Sequence, residues 1–369
     1  MTSMNIPLFE PYVDEEEKKA LSDVIDSRQL SRGPFVEKFE RVFAEYIGKR
    51  YAVAVNSGTS GLHLAVKALN WKAGDKVLTT PYSFIASTNC LLYEGIRPVF
   101  KDISPITLTL PFGTIESSLT NDIKGALLVD ILGFPAITQQ IKDICQDKKI
   151  SILEDACEAV GRPCATFPVS LFSEIAIYGF YPNKQMTTGE GGMIVTDNPD
   201  MAEYLQSLRN QGYSKQKDWL NHVIMGYNYR MSDVQAALGL AQLQKLDFIL
   251  ERRTELAGIY ANLLRKYTDI KPLQNQKFKR SYFNYTVLIE NAKIREKVIK
   301  LFDERKIGYN CGFVPLHYFP HIKALGYQKG DFPVTETIAQ QTLSLPFYVG
   351  MSQHNIQTVC QTIEEAIND

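Results

Sequence analysis

No stretch of this 369-residue chain stays apolar long enough to cross a bilayer, so no membrane-spanning helix is expected. The six cysteines (90, 145, 157, 164, 311 and 360) include no Cys-x-x-Cys pair. With no signal-peptide pattern in the first residues, a disulfide framework and a zinc site are both unexpected, and a soluble cytoplasmic protein is the default. Histidine is scarce, and the one suggestive spacing, His317 and His321, has Pro320 inside it. That spoils a helical metal pair, so no metal is expected. Charge of either sign is not in excess: 40 Lys and Arg against 41 Asp and Glu leave a net of -1. Nothing in the whole-chain balance calls for nucleic acid or an acidic membrane. Internal repeats and low-complexity segments are missing, as are Gly-x-Gly-x-x-Gly and the Walker lysine.

What is present is an alternation of apolar runs and helical patterns. Strand-like runs fall at Tyr51 to Val55, Lys76 to Thr80, Arg97 to Phe100, Gly125 to Asp130, Ile150 to Leu153, Glu174 to Phe180 and Met193 to Thr196. Helical segments lie at 14–26, 34–48, 62–69, 86–93 and 138–148. Such alternation predicts an α/β fold with a mostly parallel sheet covered on both faces, and ligands beyond the strand carboxyl ends. A long helix is predicted from Val234 to about Tyr267, capped by Ser232 or Asp233. Its charged second half suggests passage between domains. The expected division is residues 1–246, a large α/β domain, and 247–369, a smaller α+β domain.

The turn between the last two strands of the large domain holds Lys184, after Phe180-Tyr181-Pro182-Asn183 and before Gly189-Glu190-Gly191-Gly192. A lysine in a walled pocket can lose its proton and act as an amine nucleophile. An ordinary solvated loop lysine is the alternative. Ser57-Gly58-Thr59 follows the first strand and opens a helix, where free N–H groups and hydroxyls suit an anion or simply a helix cap. Asp155 and Phe84 follow two other strands. An aldehyde cofactor with a phosphate and a protonated ring needs a lysine, an anion cradle, an acid and a flat wall. These four positions supply that set at matching places in the topology.

Together with Asn56-Ser57-Gly58-Thr59-Ser60, Glu154-Asp155-Ala156-Cys157-Glu158-Ala159, Phe180 to Gly192, and Asn228-Tyr229-Arg230-Met231-Ser232-Asp233, these positions carry a resemblance. The chain resembles the nucleotide-sugar aminotransferases of the DegT/StrS type, fold type I pyridoxal-phosphate enzymes, from Pro7-Leu8 to Leu345-Pro346. The resemblance implies a seven-stranded large-domain sheet and pyridoxal 5'-phosphate as cofactor. It implies that Lys184 binds the cofactor covalently and moves a proton, that Asp155 pairs with the ring nitrogen, and that Phe84 stacks on the ring. Ser57, Gly58 and Thr59 would hold the phosphate, and Asn228 would reach the phosphate of a neighbouring subunit, making a homodimer with shared sites. Glutamate is the implied donor and a nucleotide-linked keto-sugar the acceptor. Arg230 is a candidate substrate contact because a guanidinium pairs with carboxylate or phosphate in bidentate fashion, with a surface salt bridge as the alternative. His317 is a candidate for the sugar end, with a structural histidine as the favoured alternative.

Two departures from the family pattern stand out. Gly179 lies where many members have a serine hydroxyl near the cofactor. Glu158 lies where glutamine or histidine is common, and a carboxylate near the ring's phenolic oxygen would repel it unless protonated or turned away. The rival readings are another fold type I enzyme, such as an amino-acid aminotransferase or lyase, and a cofactor-binding regulatory protein without catalysis.

Overall fold

A computed structural model of the chain describes residues 5–213, 221–273 and 279–368. Seven short runs rich in Val, Ile, Leu and Ala form the larger sheet: β1 (Tyr51–Val55), β2 (Lys76–Thr79), β3 (Arg97–Phe100), β4 (Ile123–Val129), β5 (Ser151–Asp155), β6 (Ile175–Gly179) and β7 (Gly192–Thr196). Most of their residues are buried on both faces, which is why they read as continuous apolar runs and not as alternating ones. The order is β1-β7-β6-β5-β4-β2-β3. All pairings are parallel except those of β7, which runs against both β1 and β6. The mostly parallel α/β expectation is met.

That one reversal has a local consequence. Gly192 at the start of β7 pairs with Val55 on one side and with Gly179 on the other. The loop after β1 and the turn after β6 are therefore neighbours, although more than 100 residues separate them in sequence. The turn is anchored from below by aromatic packing. Tyr178 and Phe180 are almost fully buried, with ring centroids 5.2 and 5.5 Å from Phe43, and Phe180 5.6 Å from Phe39. Phe39 and Phe43 lie on the Pro34–Ile47 helix. Burial of each ring is worth roughly 2–3 kcal/mol.

The second sheet, ordered β10-β9-β8, contains β8 (Ile270–Pro272), β9 (Tyr285–Ile289) and β10 (Thr342–Leu345), all antiparallel. It shares a separate apolar core with helices Leu246–Leu264, Ala292–Arg305 and Gln353–Asn368. The long helix expected from Val234 is two helices, Asp233–Gln244 and Leu246–Leu264, which part at Lys245 (φ -109°, ψ 10°). The Lys245 ammonium there binds Asp14 and Glu17 of the N-terminal segment at 2.8 and 2.7 Å. The change of direction lets the first helix pack on Glu15–Ser27 and Pro34–Ile47 and the second on the smaller sheet. Helical periodicity persists across the break, so the sequence pattern did not reveal it. Among the described residues no helix is long and apolar enough to cross a membrane.

Both cap candidates are used, on different helices. Ser232 caps the helix that follows it, in a capping box with Gln235. Asp233 is fully buried and accepts from Gly33 N (2.6 Å), Phe35 N (2.9 Å) and Val36 N (3.3 Å), so it caps the Pro34–Ile47 helix, whose own N-cap Gly33 has no side chain. A carboxylate at a helix N-terminus also complements the dipole there. Asp233→Ala leaves those buried donors without an acceptor, at a cost of about 3 kcal/mol. Urea unfolding should show a fall of that size in the unfolding free energy, with Asp233→Asn falling less.

Candidate active site

The carboxyl ends of β1, β5 and β6 open onto a cavity of about 800 Å³ that Ser57, Gly58, Thr59, Phe84, Asp155 and Lys184 all line. The turn bearing Lys184 bonds to itself. Lys184 N donates to Tyr181 O (2.9 Å), Thr188 N and Thr187 Oγ1 to Phe180 O (both 3.0 Å), and Gly189 N to Thr187 Oγ1 (2.9 Å). The lysine is thus held in place rather than solvated: its side chain is 16% exposed. Its Nζ lies 3.5 Å from Glu158 Oε1 and 4.1 Å from the centre of the Phe283 ring. An ammonium over a ring face is stabilised by the ring's quadrupole.

Asp155 ends β5 and is nearly buried. Its Oδ2 accepts from Ser87 Oγ at 2.6 Å, which pairs in turn with Ser83 Oγ at 2.8 Å, and its Oδ1 accepts from Cys157 N at 3.1 Å. The neighbouring Cys90 and Cys157 thiols are pushed well above the ordinary thiol range, first by burial and next by the Asp155 charge. They are therefore neutral.

At the β1 end, the helix Gly58–Ala68 begins with Ser57 as its cap. Ser57 Oγ accepts from Ser60 N at 3.1 Å and exchanges a hydrogen bond with Ser60 Oγ at 2.9 Å. The serine hydroxyl is thus engaged in capping, and the first N–H groups of the helix, those of Gly58 and Thr59, have no helical acceptor and are available to an anion. Gly58 is a close approach: a Cβ there would sit 2.9 Å from Cys157 Sγ and 3.3 Å from Gly179 Cα. Phe84 offers an exposed ring at the cavity wall, 60% accessible. Asn183 lines the same cavity, with its Oδ1 buried and unpartnered. A cradle of free N–H groups, a flat exposed ring, a held lysine and a buried acid together fit a phosphate-bearing aromatic aldehyde.

Glu158 faces this cavity too. Its Oε2 accepts from Leu132 N at 2.8 Å. Burial raises its carboxyl above the usual range, with Lys184 and the Leu132 N–H pulling the other way. Leu132 itself has a left-handed backbone (φ 54°, ψ 21°).

Three expected residues are not brought into this cavity. Asn228 is exposed and lies outside it, on a segment bridged to Asn210. Arg230 lines a separate groove with Arg32 and Arg209, and its Nη1 donates to Asn210 Oδ1 at 2.9 Å. His317 is fully buried, with Nε2 2.8 Å from Glu336 Oε1. Sequence reasoning in turn missed Leu132, Phe283, Asn284 and Asn310, all of which line the cavity. None sits in a motif, and three come from near the smaller sheet, far away in the chain.

The class follows from sheet and site together: this is the architecture of pyridoxal-phosphate-dependent aminotransferases. More particularly, the chain belongs to the DegT/DnrJ/EryC1/StrS aminotransferase family, whose model matches residues 11–364, and it is an enzyme, a sugar aminotransferase. It is 31% identical to the GDP-perosamine synthase of Escherichia coli O157:H7 over 99% of each chain. Among solved structures it is similar to Helicobacter pylori PseC, an aminotransferase of pseudoaminic acid biosynthesis, with a TM-score of 0.91, 26% identity and 99% of each chain covered. It is also similar to NtdA of Bacillus subtilis with bound cofactor PMP, with a TM-score of 0.87 and 26% identity over 96% of this chain and 82% of that one. Family and neighbours imply pyridoxal phosphate as the cofactor.

The Leu132 turn yields a test. Gly133 has φ 84°, and a Cβ there would meet Ser281 O at 1.7 Å. Gly133→Ala cannot be accommodated without moving the turn and is expected to cost about 3 kcal/mol or more. Chemical unfolding measures the loss, and a midpoint within error of wild type would show that the turn is not held as described.

Proposed function

We propose that the enzyme transfers an amino group from glutamate to a nucleotide-linked keto-sugar, using pyridoxal 5'-phosphate, as a homodimer with shared sites. The observation that carries this reading is the convergence of Lys184, Asp155 and the Gly58–Ala68 helix start on one cavity. The name of GDP-perosamine synthase supports a sugar acceptor linked to a nucleotide, and that of PseC a sugar acceptor.

When bound, the cofactor supplies an aldehyde carbon for amine exchange and a ring that spreads negative charge from the reacting carbon. The residues divide the remaining work. Lys184 would hold the cofactor, and its Nζ is the group that would carry a proton to and from the reacting carbon. Asp155, oriented by Ser87 and the Cys157 N–H, would keep a proton on the ring nitrogen. Gly58 and Thr59 N–H groups would hold the phosphate, with Ser57 fixing their helix turn, and Phe84 would supply an apolar wall for the ring. At Gly179 there is no hydroxyl, and Cys157 packs against that position. Asn228, outside its own chain's cavity, would serve the phosphate of the neighbouring subunit. Arg230, two residues on, is available to a substrate anion in bidentate fashion.

Purified enzyme given glutamate and a panel of nucleotide keto-sugars should yield nucleotide-linked amino-sugars, whereas turnover confined to simple oxo acids overturns the reading. Lys184→Ala should abolish transamination, and borohydride should trap the cofactor on the Lys184 peptide of the wild type. Trapping at another lysine removes Lys184 from its role. Asp155→Ala should cut turnover by about 100-fold or more with little effect on folding. Shared sites are tested by mixing: two inactive homodimers, Lys184→Ala and Asn228→Ala, should recover about a quarter of wild-type activity after subunit exchange, because one site in each mixed dimer is intact. No recovery after confirmed exchange argues that each site belongs to one chain.

A further inference from the structure

The family pattern leaves Glu158 without a role, and its surroundings suggest one. The carboxyl is clamped: Oε2 is occupied by the Leu132 N–H at 2.8 Å, so Oε1 is the oxygen turned toward Lys184 Nζ, 3.5 Å away. The clamp is costly to make. A left-handed leucine is worth about 1–2 kcal/mol of strain. The conformation is maintained by the segment that precedes β9, where Arg280 Nε donates to Leu132 O at 2.7 Å and Ser281 N to Gly133 O at 3.1 Å. Gln185 Nε2 fixes the Glu158 backbone as well, donating to its carbonyl at 2.8 Å.

The charged and titratable groups facing this carboxyl are Lys184, Asp155, Tyr82, Cys157 and, beyond the Leu132 carbonyl, Arg280. Of these only Lys184 is a cation within hydrogen-bonding reach. Asp155 is an acid, and the Tyr82 hydroxyl and Cys157 thiol are held neutral, Tyr82 pushed up to about 12 mainly by burial. Arg280 spends Nε on Leu132 O and Nη2 on Asn284, its Nη1 is buried without a partner, and it makes no hydrogen bond to Glu158. With Lys184 as ammonium, Glu158 has a counter-ion. With Lys184 neutral, a buried Glu158 carboxylate would face another acid with no cation in contact, which is strongly unfavourable.

We infer that Glu158 is the proton partner of Lys184: as the lysine gives up its charge to engage the cofactor, the proton passes from Nζ to Glu158 Oε1. The N–H bond breaks, an O–H bond forms, and the pair goes from ionic to neutral with no net change in charge. Glu158 is a positioning residue here, acting through Lys184, and the inference rests on Lys184 being the cofactor lysine. It also removes the repulsion expected of a carboxylate beside the cofactor's phenolic oxygen, because the side chain is a neutral acid when the site is loaded.

Infrared difference spectra between protein without cofactor and protein loaded with pyridoxal 5'-phosphate provide the test. A protonated-carboxyl C=O band should appear on loading in wild type and be missing in Glu158→Gln. Lys184→Ala should show that band at neutral pH with no cofactor added. A second readout needs no assignment of bands. Glutamine mimics a neutral acid, so Glu158→Gln should leave the pH midpoint of the bound cofactor's visible absorbance where it is. If Glu158 were a carboxylate in the loaded site, losing it would lower that midpoint by about one unit or more. A lowered midpoint, a band absent from wild type, or a band that survives in Glu158→Gln overturns the inference while leaving Lys184 in place. Visible absorbance that never develops, or trapping at a different lysine, removes the cofactor reading itself and this inference with it.

Discussion

Because β7 runs against its neighbours, Gly192 pairs with both Val55 and Gly179, and two segments remote in sequence finish side by side. Everything proposed for the site follows from that register. The loop after β1 supplies the helix start, the turn after β6 supplies the lysine, and β5, next in line, supplies Asp155. A parallel β7 would have needed a crossover connection back to the opposite end of the strands before it could pair. A slip of one residue would turn the side chains of β7 to the opposite face and shift the loop after β1 relative to the turn after β6.

Burying charge is the second constraint. Lys184, Glu158, Asp155 and Arg280 lie within one poorly hydrated region, and each must be matched by a partner or a proton. Asp155 is matched by Ser87 and a backbone N–H, and Lys184 by Glu158 and the Phe283 ring. Arg280 is matched through Nε and Nη2 by carbonyl oxygens and through its face by the Phe134 and Tyr282 rings, 4.6 and 5.0 Å from its guanidinium carbon, while Nη1 is buried without a hydrogen-bond partner. Burial lowers its affinity for its proton to about 10, which still leaves it charged at neutral pH. The balance is close enough that removing one charge shifts a proton elsewhere.

The two sheets meet at this balance. Arg280, Ser281 and Phe283 precede β9, yet they brace the Leu132 turn and cover the lysine. Gln185, the residue after the lysine, also donates to Ser281 Oγ at 2.8 Å. The smaller sheet is therefore part of the wall of the cavity and not an appendage to it.

The strands, the lysine turn, the acid after β5 and the capped loop after β1 were legible in the chain, because each is a local pattern of apolar runs, turn residues and caps that short-range sterics and hydrogen bonding dictate. The break at Lys245, the service of Asp233 to a helix 200 residues upstream, the left-handed Leu132 and the clamp on Glu158 were not. Those depend on groups that meet only after the sheet has closed. A local pattern carries information about backbone preference, but the charge state and orientation of a buried side chain are set by whichever distant residues replace its water.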